Sequence, residues 1–87
     1  MSLGYKVSQK EAIEYLEDGF DIHVEVGESV FKIADMHGYI GAPDDGVGWI
    51  SEYLGNVYYE HAETIVKETV AGMRDGRDIK ASYYADI

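Results

Sequence analysis

Asp21, His23 and Glu25 occupy alternate positions of the run FDIHVEV, interleaved with Phe20, Ile22, Val24 and Val26. On an extended chain this alternation puts the two sets on opposite faces, with same-face neighbours about 6.8 Å apart. Imidazole and carboxylate together suit a divalent ion such as zinc or manganese. Three ligands strung along one strand are too spread to close on one ion, so a fourth from His37 or His61 is required. A solvated strand face produces the same pattern and is the favoured reading, so no metal or other cofactor is expected.

The remaining chemical candidates are weaker. Asp44-Asp45-Gly46 lacks the alternating ligands and closing glutamate of a calcium loop and reads as a polar turn. Gly41, Gly46 and Gly48 lack the Walker spacing and its lysine, and the two aspartates among them would repel a phosphate. No serine sits in a nucleophile elbow, and Ser51 falls in a stretch expected to be helical. His61, between Glu60 and Glu63, is a general base only if the fold brings it a partner; an ordinary surface histidine is the simpler reading. A small metal-dependent or histidine-based enzyme centred on His23, His37 and His61 is therefore the alternative, and a non-enzymatic protein is expected.

Aromatic residues point elsewhere. The chain holds eight tyrosines, one tryptophan and two phenylalanines. A tyrosine ring is a large, rigid apolar body with one polar tip, which suits protein interfaces as well as the rim of a small core. With so few other aromatics, the tyrosines divide between those two roles. Tyr58, Tyr59, Tyr83 and Tyr84 are the interface candidates, joined by Trp49 beside the glycine-rich loop, although a core plug is favoured for Trp49.

Charge narrows the partners. Seventeen acids against seven bases give a net charge of −10 and a pI near 4.4. Such a surface repels phosphate backbones and anionic lipid, which disfavours direct nucleic-acid and membrane binding and favours a basic protein. No apolar run approaches the roughly 20 residues that span a bilayer, and MSLGYK opens without the apolar stretch of a secretory signal. With no cysteine there are no disulfides and no thiolate chemistry, in keeping with a cytoplasmic protein.

One domain over 1–87 must supply the positioning elements. Ser8 and Glu11 form a Ser-x-x-Glu capping box ahead of Ala12, Ile13 and Leu16, which predicts a helix closed at Gly19. Phe20 to Val26 and Val30 to Met36 read as strands around Gly27-Glu28. Phe31 and Ile33 on one face, with Val30, Ala34 and Met36 on the other, suggest that the second strand is covered on both sides. A short third strand spans Tyr39 to Ala42. Trp49, Ile50, Tyr53 and Leu54 predict a short helix, and a longer one follows from Tyr58 to Met73, with its stop at Gly76. Ile79 to Ile87 alternates again as a final strand at the edge of its own sheet or a partner's.

The expected fold is therefore α+β, a small two-layer sandwich in the order α-β-β-β-α-α-β. Its antiparallel meander of three strands plus a C-terminal strand is covered by two or three helices. Short, acidic, cysteine-free and tyrosine-rich, and opening with KEAIEYLEDGF ahead of a meander, the chain resembles small acidic accessory proteins of phages and mobile elements. That resemblance implies binding to a basic host protein, in some such proteins by imitating the charge of DNA. The expectation is an acidic protein-binding module acting as a homodimer, accessory or inhibitory to a basic, nucleic-acid-binding partner.

Overall fold

A computed structural model describes residues 4–35 and 48–86. The capping box forms as the sequence predicts: Ser8 Oγ accepts from the Glu11 amide at 3.1 Å, and the Ser8 amide donates to Glu11 Oε1 at 3.0 Å. These two bonds satisfy amides that the first turn leaves without helical partners, and the bond from the Ser8 amide holds the Glu11 carboxyl below its ordinary pKa. Helix α1 then runs Gln9–Glu17 and buries Ala12 and Leu16. Its lead-in, Tyr5–Val7, is a strand (β1) that the sequence pattern did not predict, because three residues are too few to display a period.

Strands β2 (Asp21–Val26) and β3 (Ser29–Asp35) form the expected hairpin, with Ile22 opposite Ile33 and Val24 opposite Phe31. The expected strand at Tyr39–Ala42 lies outside the described residues, as do His37, Asp44 and Asp45. Beyond them the prediction of a short helix fails. Trp49–Ser51 is strand β4 and Gly55–Tyr59 is strand β5, so Ser51 is a strand residue and Tyr58 and Tyr59 precede the long helix. Three-and-four spacing within so short a run is ambiguous. Extended pairing with β3 buries Trp49 and Ser51 on one face while Ile50 turns to the other. Valine and two tyrosines at the end of β5 also favour strand over helix.

Helix α2 is Ala62–Arg74, four residues later in start than expected, and it ends at Asp75 in a left-handed conformation. Strand β6, Ala81–Asp86, closes the chain. The sheet order is β1-β6-β2-β3-β4-β5, antiparallel throughout. The final strand is thus interior, not an edge, since β1 takes the outer position beside it. Gly4 permits this: its φ is +111°, and a Cβ there would collide with the backbone carbonyl of Ala85.

The architecture is α+β and two-layered, with a six-stranded antiparallel sheet and two helices among the described residues. Leu16 of α1 and Ile65 and Val66 of α2 are fully buried with Ile22, Val24 and Ile33, which share one sheet face. Burying each such side chain contributes about 1.5–3 kcal/mol. The second face of β3 carries Val30, 37% exposed, together with half-buried Lys32 and Ala34, so the expected cover on both sides is not found among the described residues.

Candidate functional site

Two surfaces remain after the core is built. One is the open face of the sheet. Strand register sets Lys6 opposite Tyr84, Tyr84 opposite His23 and His23 opposite Lys32, a row across β1, β6, β2 and β3. Asp21 and Glu25 flank His23 along β2, as alternation requires. Asp21 pairs with Lys32 at 3.1 Å, which raises the lysine above its ordinary pKa; burial opposes that shift, while Glu52 and Asp86 add to it. Glu25 Oε1 accepts a long bond of 3.4 Å from the Tyr84 hydroxyl. His23 Nδ1 is shielded and makes no hydrogen bond among the described residues. Among the described residues no three histidine, aspartate or glutamate side chains come close enough to hold a metal ion, so Asp21, His23 and Glu25 stay strung along their strand.

Beside this face the β3–β4 pairing is extended by a side chain. The Glu52 amide donates to the Lys32 carbonyl, and the Lys32 amide donates to Glu52 Oε2, both at 2.9 Å. A carboxylate thus takes the place of the next strand carbonyl in the ladder.

The second surface lies in the helix layer, where the C-terminal end of α1 meets the start of α2. An open cleft of about 560 Å3 is lined by Ile13, Glu17, Trp49, Glu60, His61 and Glu63, among others. Helix α1 supplies Glu17 in its last turn, where no base accompanies it. The β5–α2 junction supplies Glu60 and His61, the latter an exposed N-cap whose side chain makes no capping bond. Glu63 is drawn to Lys67 one helical turn on, at 2.6 Å, and its carboxyl is held below the ordinary range by that bond. Glu17 and Glu60 make no ion pair among the described residues. The lining mixes Ile13 with the acids Glu17, Glu60 and Glu63, suited to a cationic side chain with an aliphatic stem.

The aromatic candidates separate. Trp49 is 7% exposed, and its indole N–H donates to the Leu16 carbonyl at 3.0 Å, tying β4 to the end of α1. Tyr83 is 8% exposed within the core. Its hydroxyl is pushed above the ordinary pKa by burial, against a smaller opposing effect of Arg74. Both rings therefore serve the fold of their own chain. Tyr84 lies half-buried on the open face, while Tyr58 and Tyr59 lie half-buried on β5. His61 lines the helix-layer cleft and His23 sits on the opposite side of the sheet, so these two do not converge.

Sequence reasoning missed Glu17, Glu60 and Glu63 as a group, because no local spacing connects α1 to the β5–α2 junction. It missed Lys6 and Lys32 because their row exists only through three strand registers. What fold and surfaces define is a two-layer α+β domain with an open, mixed-charge sheet face and an acid-rimmed cleft. Comparison with protein-family models, curated proteins and solved structures finds no match for this chain. No helix among the described residues is long and apolar enough to cross a membrane.

Proposed function

We propose that this chain is a non-enzymatic, self-associating protein-binding module of the cytoplasm that receives a basic protein in the cleft between α1 and α2. The observation that carries the reading is the acid rim itself: Glu17 and Glu60 stand at the cleft beside Ile13 and make no ion pair among the described residues. An arginine or lysine of a partner would neutralise these groups while its stem covers Ile13. The net charge of −10 would speed encounter with such a partner and repel nucleic acid, which fits an accessory or inhibitor of a nucleic-acid-binding protein.

The test is capture from cell lysate on the immobilised chain, with elution in rising salt. The reading expects basic proteins retained by the native chain, released stepwise by salt, and lost from a Glu17→Lys/Glu60→Lys bait. A Glu28→Lys/Glu68→Lys bait carries the same net charge and is expected to retain them. Retention that tracks net charge alone would remove the cleft from the account.

A further inference from the structure

The open face of the sheet carries a charge pattern that is complementary to itself. Along β2, Asp21 and Glu25 lie on either side of His23, each about 6.8 Å away. Across the strands Lys32 lies directly beside His23, and Lys6 lies two strands away on the other side, beyond Tyr84. Acids and bases thus occupy the two arms of a cross centred on His23. A 90° turn lays one arm over the other.

Such a turn relates two sheets in orthogonal packing, where strands of facing sheets cross near a right angle. We propose that a second copy of this chain docks on the open face in that arrangement, with the two-fold axis near His23. Lys32 of each copy then meets Asp21 of the other, and Lys6 of each meets Glu25 of the other. The second pair is the informative one, because neither Lys6 nor Glu25 has an ionic partner within its own copy among the described residues.

Two further observations favour a second copy over another occupant. On the open face of these strands Asp21, Glu25 and Asp86 stand against Lys6 and Lys32, a single net negative charge in a chain whose total is −10. Two copies therefore repel least when they meet here. The apolar contribution comes from Val30, Ala34 and Ile50 on the same face.

This inference rests on the self-associating part of the reading above, and its test uses the purified chain alone, so it stands or falls apart from capture of a basic protein. Sedimentation velocity across a concentration series is expected to show a reversible dimer. Lys6→Glu and Glu25→Lys are each expected to weaken it by about tenfold or more, since each reversal acts twice across a two-fold axis. Neither change touches the Lys32–Asp21 pair, and circular dichroism checks that each variant remains folded. Mixed in equal amounts, the two variants are expected to dimerise again, because every mixed pair restores one native Lys6–Glu25 contact and creates one of reversed sign. A native chain that stays monomeric overturns the proposal. So does a dimer indifferent to both reversals, or a pair of weakened variants whose mixture does not recover.

Discussion

Trp49 and Tyr83 have the chemistry of interface anchors and use it inside their own chain. For Trp49 the deciding contact is a carbonyl 33 positions away in sequence: the C=O of Leu16, the last buried residue of α1, accepts from the indole N–H as well as from the Gly19 amide. For Tyr83 it is the place of β6 between β1 and β2, which turns one side of the strand into core. Because burial raises the Tyr83 pKa above its ordinary value of 10.0, the stability it contributes is complete below about pH 10 and is lost as pH rises through the folded-state value. Lys32 shifts in the same sense. Ultraviolet titration is thus expected to show a late tyrosine ionisation that accompanies unfolding, and Tyr83→Phe to abolish that late step. A late step unchanged in Tyr83→Phe would contradict the placement. The sequence showed that tyrosines were in excess and that β6 alternated, but not which tyrosines were covered. Covering depends on strands that neighbour β6 only in space.

Elements were legible wherever a local device specified them. The Ser8–Glu11 box fixed the start of α1, and strict alternation fixed β2 and β6. The β4–β5 hairpin was hidden because its apolar residues fit a helical spacing, and what holds it is non-local. Ser51, fully buried, accepts a hydrogen bond from Thr69 of α2 at 2.9 Å, and the Tyr53 hydroxyl donates to the Gly72 carbonyl at 2.9 Å. The Tyr53 ring also meets Phe31 edge-on at 5.2 Å. It lies so close to α2 that a Cβ at Gly72 would collide with it. Gly to Ala within a helix ordinarily stabilises by about 1 kcal/mol. Here Gly72→Ala is expected to destabilise in denaturant titration, by displacing Tyr53 and its bond. In a Tyr53→Ala background the same change is expected to become stabilising. The same sign in both backgrounds would mean that the ring does not hold the hairpin to the helix.

At the scale of the whole molecule, the C-terminal strand is what joins β1 to the rest of the sheet. Truncation after Arg77 removes an interior strand that pairs on both sides, so it is expected to abolish cooperative unfolding. A folded monomer from that truncation would show that β6 is dispensable. Neither the open face nor the cleft could be read from the sequence, since each gathers residues from separate elements. The charge total could be read, and its distribution could not: of the acids at the cleft, Glu17 and Glu60 make no ion pair among the described residues, while the sheet face nearly balances. Capture on native and charge-reversed baits therefore addresses the central claim most directly. The account predicts basic proteins that leave the native bait in rising salt, fail to bind the Glu17→Lys/Glu60→Lys bait, and still bind the Glu28→Lys/Glu68→Lys bait. Equal loss from both reversed baits, or binding indifferent to salt, would contradict it.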